Sequence, residues 1–279
     1  MSKLQTLINT RYAGATPRAL QRETQPEWNP VIDTLLSHRS VRAFQSTPLP
    51  EGTLELLVAA AQSAASSSNL QVWSVVAVRD PERRHRLAAL AGDQSHIREA
   101  PLFLAFLVDV ARLSRVAERA SKPIEGVDYL DTFLMGAIDA ALAAQNAVTA
   151  AESLGLGTVY IGALRNRPEE VARELALTPG LFAVFGLCVG VPDATRPTAI
   201  KPRLSQPSVL FHEQYARTAA DCETDIQDYD RAIGGFYRSQ NLPQATWSEH
   251  STERLRTAAG LRGRHRLREA LQFLGFNLR

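Results

Sequence analysis

The chain has 279 residues, of which 45% are hydrophobic and 22% are charged, a composition typical of a globular protein with one large or two small domains. Its net charge of +2 indicates neither nucleic acid nor a membrane surface as partner, and two cysteines without a CxxC pair are too few for a disulfide framework. We therefore expect a cytoplasmic protein whose function depends on local motifs.

Regular patterning begins only after residue 30. Residues 1–30 show no sustained hydrophobic period, so we expect an N-terminal extension that lies on the surface or on a partner, followed by one domain over 31–279. Helices are predicted for "VIDTLLSHRS" and "EGTLELLVAAAQSAA", and a buried strand follows at "VWSVVAV". A helix from Pro81 to Gly92 then precedes a second buried strand, "PLFLAFLVDV".

The longest predicted helix runs over residues 131–154, where apolar or small residues recur with a period near 3.6. It is either a central core helix or a dimer seam, and polar residues such as Asp139 and Glu152 argue against a membrane span. Strands at "TVYIGAL" and "LFAVFGLCVGVP" flank a short helix, and three helices are expected near 221–238, 251–259 and 264–274. Because strands and helices alternate without a strict βαβ order, the predicted fold class is α+β.

Several common catalytic and metal motifs are absent. The sequence contains no GxxxxGK[ST], GxSxG or HExxH motif, and its six histidines lack the spacing of metal ligands, so no metal site is expected. The glycines of "GLGTVYIG" follow a helix and precede a strand. This is the reverse of the order in a dinucleotide-binding fingerprint, which follows a strand and opens a helix.

Polar stretches that suit an anionic ligand remain. In "HRSVR", a helix that continued past His38 would place Arg39 and Arg42 on one face, where two guanidinium groups repel unless an anion bridges them. In "KPR", Lys201 and Arg203 could form a phosphate clamp. A solvated helix end and an exposed loop are equally compatible readings of these two stretches.

Three further stretches could contact a sugar or a flat ring. The "SSSN" turn at residues 66–69 could bind hydroxyl or phosphate oxygens, and Gln94 lies in the loop "GDQSH". In "YIGALRN", Gly162 permits a close backbone approach to a ring, and Arg165 and Asn166 project where the strand ends. Ordinary turn chemistry would also explain each stretch. Together, the cations, hydroxyls and backbone amides fit one ligand with a phosphate, a polyol and a heteroaromatic ring, which describes FMN.

The same residues carry a family resemblance. From about Leu35 to the C-terminus the chain resembles the nitroreductase superfamily, and in particular its NADPH-dependent branch. The resemblance rests on "HRSVRAF", "SSSNLQ", "GDQSHI", "AAQNAVTAAESLGLGTVYIGALRN", "FGLCVGVP", "KPRL" and "TWSEH". It implies an α+β homodimer with a central mixed or antiparallel sheet surrounded by helices, FMN bound between the subunits, and a helical excursion over about 204–250 near the NADPH site.

The resemblance also implies roles for individual residues. Arg42 would lie at the pyrimidine edge of the flavin and stabilise its reduced form, which makes it the expected catalytic residue. The other cofactor-binding residues would be His38, Arg39, Ser40, Ser66, Ser67, Ser68, Gln94, Tyr160, Ile161, Gly162, Ala163, Lys201 and Arg203. NADPH or substrate would contact Arg165, Asn166, Arg238 and Arg264. Pro243 stands where the branch has a second arginine for the 2′-phosphate of NADPH.

The implied activity is NADPH-dependent reduction of nitroaromatics, quinones or related small-molecule acceptors by two-electron ping-pong hydride transfer. The alternative is a dedicated FMN reductase that supplies reduced flavin to a partner. A third reading is a binding module without turnover that uses the seven arginines of residues 251–279. It is disfavoured because that segment lacks the interleaved aromatic residues of a nucleic-acid site.

Overall fold

The computed structural model describes residues 3–14, 17, 28–215 and 218–279, and the chain divides into two compact units. We call Ser40–Pro197 with Leu261–Arg279 the sheet unit, and Met1–Arg39 with Thr198–Gly260 the helical unit. Of the N-terminal extension predicted over residues 1–30, residues 1–2, 15–16 and 18–27 lie outside the described part.

The sheet unit contains a four-stranded sheet in the order β1-β2-β4-β3, and every neighbouring pair of strands is antiparallel. The strands are β1 (Trp73–Val78), β2 (Leu102–Asp109), β3 (Gly157–Ile161) and β4 (Leu181–Gly190). β2 is buried along its whole length because it lies between β1 and β4 and is covered on both faces. The predicted α+β class is confirmed.

Helices of the sheet unit cover both faces of the sheet. They are α3 (Thr53–Gln62), α4 (Pro81–Leu90), α5 (Ser95–Glu99), α6 (Ala111–Ala120), α7 (Leu130–Ser153), α8 (Pro168–Glu174) and α11 (Leu267–Phe273). Successive side chains of β2 point to opposite faces of the sheet, so they belong to two core clusters. Leu102, Leu104 and Phe106 pack in the cluster with α3 and α7. Phe103 and Ala105 pack in the opposite cluster with α4, α5 and α8.

Helix α7 is a core helix with two different apolar faces. Its alanine-rich face is buried against the sheet and α3, and the carboxylate of Asp139 is buried with it. The opposite face exposes large apolar side chains at intervals of four residues: Leu130, Leu134, Ile138 and Leu142. By length and composition alone this helix could cross a membrane, but core helices of globular proteins meet the same criterion.

The helical unit contains four helices within the part of the chain that the structure describes. They are α1 (Lys3–Arg11), α2 (Pro30–Ser37), α9 (Ala219–Ser239) and α10 (Trp247–Leu255). Asn29 caps α2 by accepting hydrogen bonds from the amides of Val31 and Ile32. A capping box between Thr246 and Glu249 begins α10 four residues earlier than expected.

Some local predictions were wrong. Helix α1 lies in the extension where no period was found, because a short helix with few apolar residues gives little periodic signal. Helix α2 ends at Ser37, so Arg39 and Arg42 do not share a helical face. The chain is extended there because Ser40 pairs with Thr158 and Phe44 pairs with Pro192.

Candidate functional site

Within the helical unit, Arg11 of α1 joins the start of one predicted phosphate-binding stretch, at His38, to the other, "KPR". Its guanidinium donates hydrogen bonds to the carbonyl oxygens of Leu36 and His38, both at 2.9 Å, and of Lys201 at 3.1 Å. The amide of Arg203 in turn donates to the carbonyl oxygen of Arg11 at 2.9 Å. The backbones of "HRS" and "KPR", about 160 residues apart in sequence, are thereby tied to one side chain.

Helix α9 fixes the "KPR" stretch from another side. The ammonium group of Lys201 lies 5.5 Å and 5.3 Å from the ring centroids of Phe236 and Tyr237, within the range of cation–π attraction. The hydroxyl of Tyr229 donates to the carbonyl oxygen of Pro202 at 3.0 Å. Arg203 is exposed, and its guanidinium donates to the carbonyl oxygens of Lys201 and Pro202. The backbone that carries the side chains of Lys201 and Arg203 is therefore held by several contacts.

In the sheet unit, Arg42 projects from an extended segment that runs beside β3. Val41 and Ala43 on either side are buried, and the amide of Val41 donates to the carbonyl oxygen of Thr158 at 2.9 Å. Neither Arg42 nor, in the helical unit, Arg39 forms an ion pair with a carboxylate in the part of the chain that the structure describes. Two exposed guanidinium groups without carboxylate partners fit an anionic ligand.

His96, in the first turn of α5, is a neighbour of Arg42 that the sequence did not single out. Its side chain is only 8% exposed, and its Nε2 has no hydrogen-bond partner among the described residues. Burial lowers the pKa of the imidazole, and the charge of Arg42 lowers it further. The imidazole is therefore held neutral near Arg42. Gln94, two residues earlier, uses its side-chain amide nitrogen to donate to the carbonyl oxygen of Ala91 at 2.7 Å.

The serine turn is built on the buried carboxylate of Asp139 in α7. This carboxylate accepts hydrogen bonds from the hydroxyl of Ser66 at 2.7 Å and from the amides of Ser67 and Val72, both at 3.1 Å. The hydroxyl of Ser66 also accepts from the amide of Gln71 at 2.8 Å, so it serves the turn itself. Ser67 and Ser68 are exposed, and Ser68 has a left-handed backbone with φ of 48°.

The end of β3 presents Tyr160 to Ala163 as the sequence suggested, but Arg165 does not project outward. Its guanidinium folds back under Gly162, where a Cβ would lie 3.3 Å from Nη2, and it donates to the carbonyl oxygen of Val184. Burial lowers the pKa of this guanidinium. The ring of Tyr160 packs edge-on against Phe185 at 5.2 Å. Arg165 therefore packs beneath Gly162, the first residue after β3, and supports the backbone there.

Two of the predicted NADPH or substrate residues are brought together within the sheet unit. The Nε of Arg264 donates to the side-chain oxygen of Asn166 at 2.9 Å. The neighbouring Gly263 has φ of 91°, and a Cβ there would lie 2.5 Å from the carbonyl oxygen of Asn166, so only glycine fits. Arg238 is exposed in the last turn of α9, in the helical unit.

These donors match the chemistry of FMN. In the helical unit, the cationic residues Arg39, Lys201 and Arg203 lie on backbone segments that Arg11 and α9 anchor, which suits a phosphate. In the sheet unit, the exposed guanidinium of Arg42, which has no carboxylate partner among the described residues, suits the polar edge of a ring. No group of three or more His, Cys, Asp or Glu side chains that could hold a metal ion occurs among the described residues.

Comparison with protein families identifies the chain. The sequence profile of the Nitroreductase family matches residues 35–191, and that of the Nitroreductase family, C-terminal domain, matches residues 201–279. The chain belongs to the nitroreductase family. The recognition made from the motifs is thus confirmed, and helix α1 lies before the matched region.

Individual relatives agree in length and sequence. The chain is 38% identical over 229 residues to the NADPH-flavin oxidoreductase of Vibrio harveyi, an alignment that covers 81% of this chain and 91% of that protein. It is 36% identical to the FMN reductase (NADPH) of Bacillus subtilis, covering 79% and 89%, and 38% identical to the oxygen-insensitive NADPH nitroreductase of Salmonella typhimurium, covering 80% and 89%. The solved structure of NfrA2 from B. megaterium superposes with a TM-score of 0.84 at 37% identity and covers 90% of this chain and 100% of that one.

Proposed function

We propose that this protein is an NADPH-dependent FMN oxidoreductase that reduces nitroaromatics, quinones or related small molecules. The observation that carries the proposal is the exposed guanidinium of Arg42 beside β3, without a carboxylate partner among the described residues, in a chain of this family. The names of the three relatives, all of which include NADPH, support the choice of electron donor.

In this proposal different polar residues bind different parts of FMN. His38, Arg39, Ser40, Lys201 and Arg203 bind its phosphate and ribityl chain, and the exposed Ser67 and Ser68 add hydroxyl groups. Gln94 and the backbone from Tyr160 to Ala163 bind the ring. FMN, when bound, supplies the two-electron chemistry, taking hydride from NADPH and giving it to an acceptor in ping-pong order.

Arg42 is the proposed catalytic residue because its charge stabilises the negative charge that reduction places on the pyrimidine edge of a flavin. The surroundings of Arg42 favour this role. No carboxylate pairs with it among the described residues, and the neighbouring His96 is held neutral, so the guanidinium charge remains available to a ligand. His96 itself is too deeply buried for us to assign it a direct contact.

We assign the 2′-phosphate of NADPH to Arg238 of the helical unit, and a separate contact with NADPH or substrate to Arg264 of the sheet unit. Arg264 is held in place by Asn166, and Arg238 is exposed on its helix. Arg165, whose guanidinium bonds to the carbonyl oxygen of Val184, supports Gly162 and does not contact NADPH in this proposal. The excursion over residues 204–250 would carry the NADPH side of the site.

We also propose that the protein is a homodimer. The exposed apolar face of α7 supports this, because Leu130, Leu134, Ile138 and Leu142 are each between 43% and 55% exposed and align along one side of a 24-residue helix. A second copy of the same face would bury these side chains and remove them from water. A cytoplasmic location stays a prediction, as does the absence of nucleic-acid and membrane partners.

A dedicated FMN reductase is the second candidate, favoured by the similarity to the FMN reductase (NADPH) of Bacillus subtilis. The two activities differ in the acceptor. Steady-state turnover with free FMN at low concentration, compared with turnover on a nitroarene and a quinone, separates them. A much higher kcat/KM for free FMN would identify the reductase.

The proposed function is tested by the visible spectrum of the purified, desalted protein, followed by anaerobic addition of NADPH or NADH. We expect a yellow protein that NADPH bleaches faster than NADH. Equal bleaching by both would retain the flavoenzyme and remove the phosphate contact of Arg238. A colourless protein that cannot be reloaded with FMN would contradict the proposed function.

A further inference from the structure

We propose that helix α1 is an internal part of the flavin phosphate site, in which Arg11 is a positioning residue for the "HRS" and "KPR" stretches. The inference rests on the proposed function. It assigns a role to the N-terminal extension, which lies before the region that the family profile matches.

Two of the backbone groups that Arg11 binds belong to proposed phosphate ligands. Its side chain is 8% exposed, and its hydrogen bonds reach His38, the residue before Arg39, and Lys201. Its own carbonyl oxygen accepts from the amide of Arg203. Arg11 therefore binds the backbone of His38 and of Lys201, the first residue of each stretch.

The chemistry of these contacts requires arginine. A planar guanidinium has five N–H donors and can reach carbonyl oxygens on separate segments at once, whereas the three donors of lysine radiate from one atom. Without Arg11, the carbonyl oxygens of Leu36, His38 and Lys201 would lose this shared donor, and the two segments would lose their link.

Electrostatics gives Arg11 a second effect on an anion. The "HRS" stretch follows the C-terminal end of α2, where the helix dipole and the exposed carbonyl oxygens are unfavourable to a phosphate. Arg11 binds two of these carbonyl oxygens and places a positive charge among them. The end of α2 thereby becomes compatible with an anionic ligand.

Other contacts of α1 fix the helix without touching the proposed phosphate ligands. Ile8 is buried, Lys3 forms an exposed ion pair with Asp33 at 2.7 Å, and the hydroxyl of Tyr12 accepts from the side chain of Gln206 at 3.3 Å. Lys3 therefore offers a matched control, because it lies on the same helix, carries the same charge and pairs with Asp33, which is not a proposed phosphate ligand.

The test compares two flavins on the full-length apoprotein. FMN carries the phosphate and riboflavin lacks it, and the dissociation constant of each is measured by quenching of flavin fluorescence. In Arg11→Ala we expect the dissociation constant of FMN to rise about tenfold, while that of riboflavin changes by less than about twofold. Arg11→Lys, which keeps the charge, should lie between the wild type and Arg11→Ala, and Lys3→Ala should match the wild type.

Equal losses for FMN and riboflavin would overturn the inference, because α1 would then merely stabilise the fold. Unchanged FMN affinity in Arg11→Ala would overturn it as well. If Arg11→Ala does not fold, the ratio of the two dissociation constants in Arg11→Lys decides, and an unchanged ratio rejects the inference. A wild-type apoprotein that binds neither flavin would instead contradict the proposed function, which separates the two failures.

Discussion

The two groups of candidate cofactor residues are built in different ways. In the sheet unit, Arg42, the serine turn and the end of β3 are anchored directly to strands and to the core helix α7. In the helical unit, His38, Arg39 and the "KPR" stretch lie outside the named strands, and side chains of α1 and α9 bind their backbones. The proposed ring contacts are thus supported by the core of the fold, whereas the proposed phosphate contacts are supported by buried or partly buried side chains that bind loops.

This difference predicts how the two groups respond to mutation. Residues of the sheet unit that anchor the ring should affect stability and the binding of every flavin together, because the core and the site share their supports. Residues of the helical unit that anchor the phosphate should affect FMN more than riboflavin, because their contacts concern one end of the ligand. Substitutions of Arg42, Asp139 and His96 in the sheet unit test this difference against Arg11→Ala.

The largest effect is expected for Arg42→Ala. Because this guanidinium is the proposed source of charge at the pyrimidine edge of the flavin, its loss should slow reduction of the bound flavin by NADPH about 100-fold. Rapid-mixing absorbance measurements under anaerobic conditions give this rate, and Arg39→Ala serves as the control because its proposed contact is the phosphate. Unchanged reduction kinetics in a fully flavin-loaded Arg42→Ala protein would remove the catalytic role.

The next effect is expected for Asp139→Asn. The carboxylate accepts from the hydroxyl of Ser66 and from two amides, and an asparagine amide group would turn N–H donors toward one of these donors. We expect the free energy of unfolding in urea to fall by about 2 kcal/mol. The affinities for FMN and riboflavin should fall by the same factor, in contrast to Arg11→Ala.

Asp131→Asn, an exposed substitution in the first turn of the same helix, is the matched control for Asp139→Asn. A stability equal to that of the wild type in both variants would show that the serine turn does not depend on the buried carboxylate. A loss of FMN affinity without a loss of riboflavin affinity would erase the proposed difference between the two groups of residues.

The sequence predicted the family and the α+β class because its motifs and its strand and helix periods are local. It also singled out Arg42 and "KPR", whose roles stay predictions. It could not reveal Arg11 or Asp139 as supports, since each acts on backbone groups that are far away along the chain. A carboxylate within an apolar helix was the available signal for Asp139. No comparable signal marked Arg11, because α1 is short and weakly amphipathic.

The extended form of residues 38–44 shows the same limit. Local propensity favoured a continued helix, but pairing of Ser40 with Thr158 and of Phe44 with Pro192 determines the conformation. Arg165 is a further example, since the strand pattern predicted a projecting side chain, and the carbonyl oxygen of Val184 holds it inward. Tertiary contacts decided both outcomes.

The smallest effect is expected in the pH dependence of stability. The pKa of His96 lies below its ordinary value of 6.5 because the imidazole is buried and close to the charge of Arg42, while Glu99 opposes the shift. In the unfolded chain His96 takes up a proton as the pH falls through about 6.5, but in the folded protein it does not, so the unfolded state gains protons first. The free energy of unfolding should therefore decrease between pH 7.5 and pH 5.5 more in the wild type than in His96→Gln, as measured by urea denaturation.

Arg42→Ala should reduce this pH dependence, since it removes one cause of the lowered pKa. If the free energy of unfolding has the same pH dependence in the wild type and in His96→Gln, the neutral imidazole does not contribute to the pH dependence of stability. The proposed ring contacts of the sheet unit would then be less closely coupled to the core than their hydrogen bonds indicate.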